Sequence, residues 1–130
     1  MKKLFFFNTT IAAIAGNEGI LRLTPISRER GIEICNAHYA GVGDFVSAIG
    51  HKASADAMTA LLNRKIEENR IPAAMQHGDI AIALKLRGRI AEGQILDLAA
   101  MEAIGYDLVL METFSTEFII SPFVGSTDCY

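Results

Sequence analysis

The stretch SAIGHKASADAMTALL, residues 47–62, marks the change from a short apolar run to an amphipathic helix. Polar side chains recur on one side of the predicted helix, at Lys52, Asp56, Thr59 and Asn63. The opposite side carries the apolar residues Ala53, Ala57, Met58, Leu61 and Leu62. This spacing predicts a helix over roughly 52–63 that packs one face on a core. Gly50 and His51 stand at the junction before it, entered from the apolar residues 45–49.

Further strand and helix patterns lie on both sides of this junction. Residues 4–7 and 20–23 are short strand candidates, and Thr24-Pro25 is expected to end the second one. Ser27 is a candidate cap for a helix over about 28–39, with Ile32, Cys35 and Tyr39 on one face.

The second half of the chain continues the alternation of strands and helices. Residues 71–75 and Ile80–Leu86 are predicted strands around a turn at 76–79. Asp97 is a candidate cap for a helix that Gly105 ends, and Tyr106–Phe114 is a long final strand. Mixed strands and helices of this kind predict a single α/β or α+β domain over residues 1–114, with 115–130 as an extension of unassigned role.

Composition narrows the classes of function. The chain has 130 residues, of which 51% are hydrophobic and 21% charged, with a formal net charge of −3. An acidic balance argues against binding long nucleic acid, and no apolar run approaches the roughly 18 residues that predict a transmembrane helix. MKKLFFF is interpreted as a first strand rather than a signal peptide, so the cytosol is the expected compartment. The two cysteines, Cys35 and Cys129, lack metal-type spacing and are expected to be reduced.

The pair Gly50 and His51 suits phosphate chemistry. Backbone N–H groups in the first turn of a helix favour an anion, and a glycine allows a ligand to approach the backbone closely. A histidine can donate a proton to a leaving oxygen near neutral pH. The structural alternative is that His51 is simply a capping or hydrogen-bonded histidine.

Other polar residues add candidates for the same site. Arg70, after Asn69, can reach a phosphate with its fork of donors. Lys85, Arg87 and Arg89 alternate along a predicted strand end and are expected to point to the same side, although a solvated edge explains them equally well. Glu92 follows in a turn. His77 and Asp79 make a poor metal site, so no metal is predicted.

Taken together, these motifs give the chain a pattern that resembles the viral ring nucleases, anti-CRISPR enzymes directed at type III immunity. The resemblance comprises Asn8 after the first strand, the block at 47–62, and ENRIPAAMQHGDIAIALKLRGRIAEGQIL at 68–96. Arg70 lies 19 positions after His51, Arg89 lies 19 positions after Arg70, and Glu92 follows three positions later. Two positions depart from the family pattern: Ile11 replaces a serine, and Ser54 replaces a threonine.

The resemblance implies a homodimer, each chain with one mixed sheet of about five strands flanked by helices. The implied substrate is cyclic tetra-adenylate, cleaved without metal or cofactor to linear products with 2′,3′-cyclic phosphate ends. The implied catalytic residues are His51 as general acid, Arg89 as charge stabiliser and Glu92 as base or orienter. The implied substrate contacts are Asn8, Thr9, Gly50, Ser54, Asn69 and Arg70. The alternatives are a module that binds cyclic oligonucleotides without cutting them, and a viral structural or interaction protein.

Overall fold

Strands and helices follow one another along residues 3–10, 13–14, 19–40, 44–91, 93–94 and 96–114, which the computed structural model describes. The strands are β1 (Lys3–Phe7), β2 (Ala13–Ile14), β3 (Ile20–Ile26), β4 (Asp44–Ser47), β5 (Ala74–Met75), β6 (Ile80–Leu86) and β7 (Tyr106–Phe114). The helices are α1 (Arg28–Ala40), α2 (Lys52–Leu62) and α3 (Leu98–Ile104).

The main sheet has five strands in the order β3-β7-β6-β1-β4. Strand β1 pairs in parallel with both β4 and β6, whereas β7 is antiparallel to β6 and β3. Phe6 lies opposite Ser47, and Phe7 lies opposite Ala83, so β1 and β4 end at the same edge of the sheet. The prediction of one mixed sheet of about five strands flanked by helices is confirmed, and the fold is α+β.

The two faces of this sheet bury different layers, because successive side chains along a strand point to opposite sides. Leu4 and Phe6 of β1 join the core beneath the helices, together with Met58 of α2. Phe5 of β1 points the other way, into a second cluster with Met75 of β5. Helix α2 contacts both α1 and α3, and the small sheet β2-β5 lies over the second face.

The predicted helix caps are confirmed. The backbone N–H of Arg30 donates to Ser27 Oγ over 3.1 Å, and that of Ala100 donates to Asp97 Oδ1 over 2.8 Å. Gly105 ends α3 with a φ of 85°, a conformation that favours glycine.

Several local predictions are wrong. Strand β3 continues through Thr24 and Pro25 to Ile26, because it is an edge strand in which a missing N–H costs no ladder bond. The strand predicted at 71–75 shrinks to β5, which pairs with β2 and not with β6. Tyr39, predicted to share one face of α1 with Cys35, is 67% exposed, whereas Ile34 is buried beside Cys35.

The turn at 76–79 connects β5 and β6 through a buried carboxylate. Asp79 is 4% exposed, and it accepts hydrogen bonds from the backbone N–H groups of Gln76 (2.8 Å) and Lys3 (3.0 Å). One carboxylate oxygen therefore holds the start of β1 and the other closes the turn before β6, which gives Asp79 a structural role.

Helices long and apolar enough to cross a membrane are absent from the part of the chain that the structure describes.

Candidate functional site

The junction between β4 and α2 exposes an imidazole at the start of a helix. The backbone N–H of Ala48 donates to Phe6 O over 2.9 Å, and Ile49 is completely buried, so the chain is anchored just before the junction. His51 occupies the N-cap position with an extended backbone, φ −129° and ψ 129°. Its side chain is exposed and forms no capping hydrogen bond within the described part of the chain. The imidazole therefore does not cap the helix, and the side chain is exposed.

Arg70 lies directly against this junction. Its Nη2 donates to the carbonyl oxygen of Gly50 over 3.1 Å. A Cβ added to Gly50 would lie 3.2 Å from Arg70 Nε and 3.4 Å from its Cγ, a tight contact. Glycine therefore allows the arginine side chain to lie across the backbone next to His51. The structure thus brings Arg70 onto the junction that carries Gly50 and His51, from 20 positions further along the chain.

A hydrogen-bond network holds the segment that carries Arg70. Asn69 donates through its backbone N–H to Ile49 O and through Nδ2 to Ser47 O, both over 2.7 Å. The Ser47 hydroxyl donates to Glu67 O over 2.6 Å. Asn69 was predicted as a substrate contact, but its amide is used within the protein, where it fixes the position of Arg70.

The network continues into α2 through Thr59, which no local sequence pattern identifies as part of a site. The Thr59 hydroxyl accepts from the backbone N–H of Ile66 over 3.0 Å and lies 2.9 Å from Ala55 O, to which it donates. A threonine on a helix can make many different contacts, so this bond to Ile66, seven positions further on, is seen only in the three-dimensional structure.

Asn8 and Ser54 flank the junction. Asn8 follows β1 and is half-buried, one residue beyond the pairing of Phe7 with Ala83. Ser54 lies in the first turn of α2 and is also half-buried, whereas Thr9 is exposed. The carboxyl ends of the parallel strands β1 and β4 thus meet at one edge, the usual place for ligands in sheets with parallel strands.

The three cations after Leu84 do not form the alternating row that was predicted. Strand β6 ends at Leu86, so only Lys85 lies on it. The guanidinium of Arg87 donates to Asp107 through Nε (3.2 Å) and Nη2 (2.6 Å). That hydrogen bond lowers the pKa of the Asp107 carboxyl below its usual value. The charge of Arg87 is therefore balanced by a carboxylate of the protein itself.

Arg89 stays available at the same edge of the sheet. It is exposed, follows the end of β6, and forms no ion pair with residues that the structure describes. The sheet order places β6 next to β1, so Arg89 follows the strand beside Asn8, whereas Arg70 contacts the junction directly. Glu92 lies outside the described residues.

The charges next to His51 are of both signs. Lys52 Nζ lies 3.0 Å from Asp56 Oδ2, and this hydrogen bond raises the pKa of the lysine. Among the described residues, no group of three or more His, Cys, Asp or Glu side chains is placed to hold a metal ion.

The fold and this edge define the class of the molecule: a small α+β domain with helices over one sheet face and a polar site where its parallel strands end. The chain belongs to the STIV B116-like family, whose model matches residues 4–108.

The chain is similar to proteins of archaeal viruses. It is 38% identical over 106 residues to the uncharacterized protein ORF117 of Acidianus two-tailed virus, covering 81% of this chain and 88% of the relative. It is 28% identical over 116 residues to the uncharacterized protein 26 of a Sulfolobus islandicus filamentous virus, covering 88% and 94%. B116 of Sulfolobus turreted icosahedral virus has the same fold, with a TM-score of 0.68 at 18% identity, covering 85% of this chain and 98% of that one.

Proposed function

We propose that this protein is a metal-independent ring nuclease that degrades cyclic tetra-adenylate and so acts as an anti-CRISPR against type III immunity. The observation that carries the proposal is the exposed imidazole of His51 at the start of α2, with Arg70 held on the carbonyl of the preceding Gly50. An acid, a helix N-terminus and a guanidinium at one junction suit a phosphodiester.

The proposed reaction is an internal transesterification. The ribose 2′-hydroxyl attacks the adjacent phosphorus, the new P–O2′ bond forms, and the P–O5′ bond breaks. His51 donates its proton to the departing 5′-oxygen, and the proton of the 2′-hydroxyl passes to a base, the role proposed for Glu92. Arg89 stabilises charge on the phosphoryl oxygens, and Arg70 positions the ring. The product ends in a 2′,3′-cyclic phosphate.

The structure supports this chemistry through what its residues leave available. His51 and Arg89 are exposed and have no ion-pair partner among the described residues, whereas Arg87 is paired with Asp107 and Asn69 is bonded to the backbone. The substrate supplies its own nucleophile, so no activated serine or cysteine is required.

A homodimer fits the substrate. Cyclic tetra-adenylate has two-fold symmetry, and a two-fold dimer presents one His51 to each of two opposite phosphodiesters. Asn8, Thr9, Gly50 and Ser54 are the proposed remaining contacts at each half of the site. A protein that stays monomeric at micromolar concentration would contradict this arrangement. The proposed place of action is the cytoplasm of the host cell.

Cleavage of cyclic tetra-adenylate in EDTA tests the proposal directly. We expect the wild-type protein to yield linear products with cyclic phosphate ends, and His51→Ala to lower the single-turnover rate about a hundredfold or more. The dissociation constant should change much less, because both arginines remain. His77→Ala is the matched control, since His77 is also exposed but lies in the turn before β6, at the opposite end of that strand.

Each result has a defined meaning. If His51→Ala cleaves at the wild-type rate, His51 is not the acid. Binding without cleavage by the wild-type protein would favour the binding module, and neither binding nor cleavage would favour a structural or interaction protein. Activity that is lost in EDTA and restored by a divalent ion would indicate a metal-dependent hydrolase instead.

A further inference from the structure

The chain after β6 is fastened to the corner between α3 and β7. The backbone N–H of Arg87 donates to Gly105 O over 2.9 Å, and its guanidinium forms two hydrogen bonds with the carboxylate of Asp107. A Cβ added to Gly88 would lie 3.3 Å from Ile104 Cγ2, so the backbone of Gly88 packs closely on the end of α3. A backbone bond, a two-bond ion pair and a close glycine contact therefore hold this turn.

Gly105 is the part of the corner that requires glycine. Its φ of 85° is rarely adopted by other residues, and an added Cβ would lie 3.1 Å from Arg87 Cδ. The arginine side chain thus lies across Gly105 and reaches Asp107 just beyond it. The side chain of Arg87 is 62% exposed, so its contacts with the backbone of Gly105 and with the carboxylate of Asp107, rather than burial, orient it.

We infer that the pair Arg87–Asp107 is a clamp that positions Arg89 for phosphodiester cleavage. Arg89 comes directly after Arg87 and Gly88, the two residues that hold this turn. Their positions therefore set the direction in which Arg89 leaves the sheet. Arg87 and Asp107 are positioning residues and do not touch the substrate. This inference rests on the proposed function, since it concerns how the same site is assembled.

The alternative that Arg87 itself binds a phosphate is opposed by its contacts. Nε and Nη2, which form one side of the guanidinium fork, already donate to Asp107 at 3.2 and 2.6 Å. Lys85 lies directly opposite Asp107 across β6 and β7, and its charge also lowers the pKa of that carboxyl. A phosphate would have to displace a carboxylate that two cations favour.

A double-mutant cycle tests the clamp. Single-turnover cleavage of cyclic tetra-adenylate is measured for the wild-type protein, Asp107→Asn, Arg89→Ala and the double variant. We expect Asp107→Asn to lower the rate about tenfold, because small misplacements of a charged group are costly in catalysis. In the Arg89→Ala background the same change should have less than a twofold effect, since the residue to be positioned is gone. Arg87→Gln should reproduce the loss from the other side of the pair.

Glu112→Gln is the matched control. Glu112 Oε1 accepts from Arg22 Nε and Nη2 over 3.0 and 2.6 Å, a pair of the same kind near the other end of β7. Its loss should change the rate less than twofold, and melting curves should show that all variants fold.

The outcomes separate the two ideas. If the wild-type protein leaves the ring intact, the proposed function fails and the positioning inference fails with it. If the wild-type protein cleaves and Asp107→Asn cleaves equally fast, only the positioning inference is overturned. Equal losses from Asp107→Asn with and without Arg89 would also overturn it, since the carboxylate would then act independently.

Discussion

Replacing Thr59 by valine should release the segment that carries Arg70 from α2. Valine keeps the shape of threonine but removes the hydroxyl that accepts from the backbone N–H of Ile66 over 3.0 Å. Ile66 is 3% exposed, so its N–H loses a partner in a buried place, which costs about 1–3 kcal/mol. Ala55 O keeps its place in the helix, so its loss is smaller. The expected decrease in the free energy of unfolding is about 2 kcal/mol.

Thr59→Ser is the control, because serine keeps the hydroxyl and loses one half-buried methyl group, worth less than about 0.8 kcal/mol. Both variants are compared by urea denaturation followed by far-ultraviolet circular dichroism, since the chain has no tryptophan. For a chain of this length, 2 kcal/mol corresponds to a fall in Tm of about 8 °C. If valine and serine destabilise equally, the hydroxyl does not hold the segment and the argument is refuted.

Two further predictions concern Gly50 and Cys35. Gly50→Ala should raise the dissociation constant for cyclic tetra-adenylate about tenfold, with little change in stability. The reason is that the new Cβ pushes aside the exposed side chain of Arg70 and removes its hydrogen bond to the carbonyl of residue 50. Unchanged affinity would show that this contact is not needed for binding. Burial raises the pKa of the Cys35 thiol from 9.0 to about 11. Between these pH values the unfolded chain binds fewer protons than the folded one, so stability should fall as pH rises, and urea titrations of Cys35→Ala should show a smaller slope.

Local patterns in the sequence were sufficient to predict most of the helices and strands. The largely apolar runs of β6 and β7, the helical spacing in α2, and the caps at Ser27 and Asp97 depend on neighbours in the chain. Each of these features therefore predicted its element directly. The prediction of a strand at 71–75 was wrong because this segment pairs only with the two-residue strand β2. Such pairing depends on residues outside the segment itself.

The candidate site shows the same division. The sequence by itself determined that a glycine and a histidine precede α2, that arginines follow at regular spacing, and that the chain has the composition of one domain. Only the tertiary structure decided that Arg70 lies on Gly50, that Asn69 is used to hold it, and that Asp107 takes the charge of Arg87. The physical reason is the distance along the chain over which each interaction acts. Caps and periodicity depend on residues a few positions apart, whereas these contacts join residues about 20 positions apart. Only sheet pairing and packing bring such residues together.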